Sequence, residues 1–248
     1  MEYDKLFQKL MEMALPRESD RAKVYYHGTS DIVKVKGILA DGIIKPSENK
    51  SRRTMVPVIG RMYMTPDLNY ALVYALGGIK MESTPWEGDR KPENRYGAVF
   101  TIPGTELKDI QPDEDAVGEM LYDVLNSKSA HLDDFNYELI KFPDDLKWLE
   151  YSAQRYLTPL QIQKVKRYDD IGHLIVAGKK LVGYLTDEQK LKLIDLGAAI
   201  ANQGGVHPSE CWLVDKLDSM KYAKDGSNFF QVARKVSISD VESLKKSV

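Results

Sequence analysis

The chain has 248 residues but only one cysteine and four histidines, so two classes of stabilising chemistry are absent from the start. Cys211 has no partner for an internal disulfide, and the chain holds no cysteine cluster for a structural zinc, a usage that fits a reducing compartment. Charge of one sign is also missing. The chain carries 35 Lys and Arg against 37 Asp and Glu, and the net charge of −2 gives no overall electrostatic drive toward nucleic acid. There is no long apolar run. The least polar stretch, residues 173–185, is broken by Gly178, Lys179, Lys180 and Gly183, too short and too charged to span a bilayer. Residues 1–15 mix Glu2, Asp4, Lys5 and Lys9 with Leu and Met. That is the pattern of an amphipathic helix ending before Pro16 and not of a secretory signal, so the expectation is a cytoplasmic protein with no membrane partner. An effector exported by a non-cleaved signal would have the same composition.

What is present suits a large packed core. At 43% hydrophobic residues, the length supports one domain, or one domain with an elaboration. Val24-Tyr25-Tyr26 is β-rich and runs into His27-Gly28-Thr29-Ser30, where small polar residues end the strand. Ile32, Val35, Ile38 and Leu39 then repeat with helical period, and Gly42 stops them. Residues 45–57, with Lys50, Arg52 and Arg53, read as a basic loop. A strand is expected at Arg61-Met62-Tyr63-Met64. Thr65 is expected to cap a following helix that has Pro66 at its first position and ends before Gly77-Gly78. Ala98-Val99-Phe100-Thr101-Ile102 reads as a buried strand stopped by Pro103.

From about 104 to 204 the pattern turns helical. Helix starts are expected at Thr158-Pro159 and at Thr186, which has Gln189 three residues on; the latter pattern runs to Gly204-Gly205. Strand character returns at Glu210-Cys211-Trp212-Leu213-Val214 and at 229–236. Charges divide unevenly: residues 1–103 carry +3, 104–204 carry −6 and 205–248 carry +1. The acidic middle is a poor surface for a phosphate backbone, so an anionic ligand belongs with the strand-rich ends. Asp113-Glu114-Asp115 reads as a solvated acidic turn, because three adjacent carboxylates cannot converge on one ion in regular structure; no metal is implied. His131, His173 and His207 read as structural or incidental, and Cys211 as packing on the strand face opposite Glu210.

Three islands remain: Tyr26-His27-Gly28-Thr29-Ser30, Gly60-Arg61-Met62-Tyr63-Met64-Thr65-Pro66 and Ser209-Glu210. In order and spacing they resemble the His-Tyr-Glu class of ADP-ribosyltransferases, the group of the poly(ADP-ribose) polymerases and diphtheria toxin. Ile38-Leu39-Ala40-Asp41-Gly42-Ile43 is similar to that family's helix end, and about 130 residues are spanned. The resemblance implies an α+β fold. Its split, mainly antiparallel β core of the ADP-ribosyltransferase type would have flanking helices, with residues 104–204 a mainly helical insertion in a single domain, 1–248. It implies NAD⁺ as co-substrate, no metal, and transfer of ADP-ribose to a protein or nucleic-acid acceptor with release of nicotinamide. The chain's size points to single transfer by a bacterial or phage toxin or defence effector. The acidic insertion is then a surface for a basic target or for an inhibitor or antitoxin.

Residue by residue, the resemblance implies that His27 bonds the adenosine-side ribose, with Thr29 assisting, and that the Gly28 backbone holds the carboxamide. Tyr63 and Tyr74, eleven residues apart, stack on the nicotinamide, and Glu210 bonds the ribose hydroxyl beside the broken bond. A carboxylate there stabilises the oxocarbenium-like transition state more than the ground state. Arg53 and Arg61 are the candidates for the pyrophosphate. Two positions depart from the family pattern. Ala71 stands where many polymerases have a serine, so a carboxamide contact is missing. Pro208 stands where arginine- and asparagine-modifying toxins have Gln or Glu, which argues against those acceptors. The competing readings are an NAD⁺-dependent RNA 2′-phosphotransferase, whose second strand carries histidine in place of Tyr63, and a non-catalytic relative that binds a nucleotide or a partner.

Overall fold

The computed structural model describes residues 23–46, 60–77, 95–126, 146–168, 170–216, 233–237 and 239–240. The readings for residues 1–22, Arg53 with the rest of the basic loop past residue 46, 229–232 and His131 lie outside the described residues. Among the described residues the fold is α+β, with seven α-helices, two sheets and no barrel. The strands are β1 (Val24–Thr29), β2 (Arg61–Met64), β3 (Tyr96–Pro103), β4 (Gln111–Pro112), β5 (Ile200–Gln203), β6 (Glu210–Asp215) and β7 (Ala233–Lys235). The helices are α1 (Ile32–Asp41), α2 (Leu68–Ala75), α3 (Glu114–Leu125), α4 (Lys147–Tyr156), α5 (Pro159–Arg167), α6 (Ile171–Val182) and α7 (Asp187–Asp195). The larger sheet has the order β1-β3-β6-β7 and the smaller β2-β5-β4. No helix among the described residues is long and apolar enough to cross a membrane.

The described residues divide into two compact units. The first holds 23–46, 60–110 and 202–240, and the second holds 111–201. In the first unit β1, β3, β6 and β7 pair antiparallel throughout. Alternation sorts their residues onto two faces. Tyr25, Phe100, Ile102, Cys211 and Leu213 bury one face, and Val99, Val214 and Ala233 pack the other against Ala71, Leu72 and Ala75 of α2. This helix lies very close to the sheet. A Cβ on Gly28 would stand 1.9 Å from the Ala71 carbonyl oxygen, and one on Gly97 would stand 1.9 Å from that of Ala75. Glycine is required at both positions by close approach and not by backbone conformation.

Local signals set the helix ends of this unit. Asp31 caps α1 by accepting from the Val33 amide at 2.9 Å, and Gly42 closes it in the left-handed region at φ 66°. The expected Thr65 cap moves two residues, to Asp67, whose carboxylate accepts from the Asn69 and Tyr70 amides. Thr65 is held elsewhere: its backbone N–H and C=O pair with Tyr26 at 3.0 and 2.7 Å. That bridge extends β-structure one residue past β2, and Thr65 Oγ1 serves the turn by accepting from the Asp67 amide at 3.0 Å.

The second unit is helical, with Val117, Leu121, Leu149, Val165, Leu174, Leu181 and Leu193 in its core. The expected capping box, Thr186 with Gln189, is complete, and the expected helix start at Thr158-Pro159 carries a second one, Thr158 with Gln161. The last helix ends at Asp195, well short of Gly204, because Gly197 turns the chain at φ 94° and Ile200 and Ala201 enter β5 opposite β4. Gly118 and Gly178 let α3 and α6 touch backbone to backbone, since an added Cβ would meet the Leu174 carbonyl at 2.3 Å or the Glu114 carbonyl at 1.9 Å. Asp113-Glu114-Asp115 is not a solvated turn. Asp113 caps α3 through the Asp115 amide at 3.1 Å, Glu114 is buried, and burial raises the carboxyl pKa values along the helix.

Candidate functional site

The first two islands meet in the first unit. His27 Nδ1 lies 2.9 Å from the Tyr63 carbonyl oxygen, an acceptor only, so Nδ1 carries the proton and Nε2 offers a lone pair. Burial lowers the imidazole pKa and Lys34 adds to the effect, while the Tyr63 carbonyl opposes it. The ring is thus held neutral, with one acceptor nitrogen suited to a hydroxyl donor. One residue back, the Tyr26–Thr65 bridge joins the same two segments through their backbones. One residue on, Gly28 backs onto α2 so closely that an added Cβ would stand 2.9 Å from the Tyr74 Cβ.

Tyr74 is 38% exposed and meets Tyr70 edge to face, with centroids 5.3 Å apart and hydroxyl oxygens at 3.4 Å. A half-exposed aromatic ring on the helix that packs against Gly28 is suited to contact a planar ligand. Tyr63 alternates along β2 with buried Met62 and Met64 and shares the other face with Arg61. Thr29 is buried, and its Oγ1 accepts from the Asp31 amide at 3.4 Å, so the hydroxyl shapes the turn into α1. Arg61 reaches the Asp109 carbonyl at 3.2 Å and its carboxylate at 3.5 Å. It holds a loop in which Asp109 takes φ 46°.

Glu210 opens β6 opposite Thr101, which in turn stands opposite Tyr26. Opposed residues share a face, so Glu210 is on the α2 side with Tyr26, Gly28 and Trp212, whereas His27 shares the reverse side with Phe100 and Cys211. Two strand spacings separate Glu210 from Tyr26, about 10 Å. The three motif residues therefore do not form one cluster on one face. The structure joins His27 to Tyr63 and Gly28 to Tyr74, and sets Glu210 across the sheet on the side to which Gly28 belongs. Cys211 is buried with its thiol pushed up to about 12, so it is no nucleophile.

Two lysines escaped the sequence reading. Lys235 Nζ donates to Glu210 Oε1 at 2.6 Å, and Trp212 Nε1 donates to Oε2 at 3.1 Å. These bonds hold the Glu210 carboxyl below its ordinary value, the Lys235 bond contributing most. Lys216 is 5% exposed and donates to the Ser30 carbonyl at 2.8 Å, fastening the turn that follows Thr29. Neither pairing has a local signal, since the partners meet only through sheet register. His207 Nδ1 donates to the Gly42 carbonyl at 2.8 Å, at the end of α1, which marks it as structural. Among the described residues no group of three or more His, Cys, Asp or Glu could hold a metal ion. No protein-family model, curated protein or solved structure matches this chain.

Proposed function

We propose that the first unit is an ADP-ribosyltransferase of the His-Tyr-Glu type, built on that family's split β core, which cleaves NAD⁺ and transfers ADP-ribose to a macromolecular acceptor. The observation that carries the reading is the meeting of His27-Gly28 with Tyr63 and Tyr74, residues that stand 36 and 46 positions apart in the sequence. Neutral His27, with Nε2 as acceptor, is suited to a ribose hydroxyl. Tyr74, an exposed ring on the helix that packs against Gly28, is suited to a carboxamide-bearing ring. Glu210, ionised and on the Gly28 side of the sheet, is suited to stabilise positive charge that develops on a ribose as nicotinamide leaves. Arg61, committed to Asp109, is a weaker candidate for the pyrophosphate than its position in sequence suggests.

Incubation with NAD⁺ labelled in the adenylate phosphate and with cell extract tests the proposal. Label on protein or nucleic acid, with equivalent nicotinamide release, is the expected result; NAD⁺ left intact overturns it. Glu210→Gln keeps the shape and removes the charge, so it is expected to lower turnover by about a hundredfold or more while NAD⁺ binding, measured by calorimetry, stays within about threefold. Full activity in that variant refutes the role given to Glu210. Removal of a 2′-phosphate from RNA, in place of label transfer, would instead identify a phosphotransferase.

A further inference from the structure

Glu210, Trp212 and Lys235 form a triangle on one sheet face. Trp212 stands opposite Lys235 in the β6–β7 ladder, and Glu210 lies two residues from Trp212, so all three side chains leave the same side. The Val236 amide bonds the Cys211 carbonyl at 2.9 Å and continues the ladder past Lys235, fixing the base of its side chain. Each carboxylate oxygen of Glu210 then has its own donor, one from the neighbouring strand and one from its own: Lys235 Nζ at 2.6 Å on Oε1 and Trp212 Nε1 at 3.1 Å on Oε2. A carboxylate held at both oxygens cannot rotate without losing one bond. Each oxygen still keeps a lone pair for a substrate hydroxyl.

We infer that Lys235 is a positioning residue for Glu210, fixing the orientation of its carboxylate on the Gly28 side of the sheet. The inference rests on the donor reading above and extends it to a residue outside the three motifs. Side-chain exposures of 59% for Lys235 and 34% for Glu210 make this a solvent-screened pair that adds little to folding stability. Its effect is on geometry and protonation. With the lysine bond gone, Trp212 is the remaining donor to the carboxylate among the described residues, and the acid form becomes accessible at higher pH.

The test is nicotinamide release by the full chain as a function of pH and of NAD⁺ concentration, in wild type, Lys235→Met, Lys235→Arg and Arg234→Met. Lys235→Met is expected to lower kcat about tenfold and to leave KM within about twofold. It is also expected to move the acid limb of the pH profile upward. Lys235→Arg keeps the charge, and its acid limb is expected to stay with wild type. Arg234, paired opposite Leu213 on the reverse face, is the control, and its variant is expected to match wild type. An active wild type beside a Lys235→Met variant with unchanged kcat and acid limb overturns the inference alone, as does a loss confined to KM. A wild type that releases no nicotinamide overturns the donor reading, and the inference with it.

Discussion

Gly28→Ala and Gly37→Ala each add one methyl group, with opposite expected effects on stability. At Gly28 the new Cβ would stand 1.9 Å from the Ala71 carbonyl oxygen, 2.9 Å from its carbon and 2.9 Å from the Tyr74 Cβ. Ordinary contact begins at about 3.4 Å, so α2 must retreat from β1 by roughly 1.5 Å. The obstacle is helix backbone, which has no rotamer to change. Overpacking of this kind costs about 3 kcal/mol, the upper part of its usual range, and lowers Tm by roughly 6–12 °C in a chain of this size. Gly37 lies in α1 with nothing within 4 Å of an added Cβ. Alanine there removes backbone freedom from the unfolded chain and stabilises by about 0.5–1 kcal/mol. Thermal melts followed by circular dichroism, with urea titrations in parallel, measure both. The two midpoints are expected to differ by on the order of 10 °C. Midpoints within about 2 °C of each other would refute the close approach of α2 to Gly28 and, with it, the placing of Tyr74.

Further expectations concern the helical unit. Thr158→Ala and Thr186→Ala each remove one capping box and are expected to lower the urea midpoint by the equivalent of about 1 kcal/mol with an unchanged slope; no loss in either refutes the caps. Burial raises Glu119 to about 7 and Asp115 and Asp123 to about 6, with Asp113 also raised, so the folded state binds protons that the unfolded chain has released. Stability from these groups is therefore greatest below about pH 4 and falls as pH rises to about 7. Glu119→Gln is expected to be neutral at low pH and to stabilise by on the order of 2 kcal/mol above about pH 8. Urea unfolding at the two pH values decides it, and a variant with no gain at the higher pH refutes the burial of Glu119.

Features written in consecutive residues were legible before the structure. Thr158 before Pro159, Thr186 with Gln189 and Gly42 after Ile38 each encode a helix end within four residues, and each forms as read. Thr65 misled because its backbone is taken by Tyr26, a partner 39 positions away, leaving the cap to Asp67. The acidic run at residue 113 looked solvated because sequence does not reveal that Glu114 lies under Gly178. Within the candidate site, motif order picked out His27, Gly28, Tyr63, Tyr74 and Glu210. It did not reveal that His27 and Glu210 leave opposite faces, because alternation fixes faces within a strand and only register relates one strand to the next. Lys216 and Lys235 escaped for the same reason: their partners, Ser30 and Glu210, are far away in sequence.

The pairing of Tyr26 with Thr65 is made of amides and carbonyls alone, and that separates the site's frame from its chemistry. Amides and carbonyls are common to every residue but proline, so drift at either position leaves the two segments pinned together. The side chains beside the bridge can then be exchanged one at a time without dismantling the place they occupy.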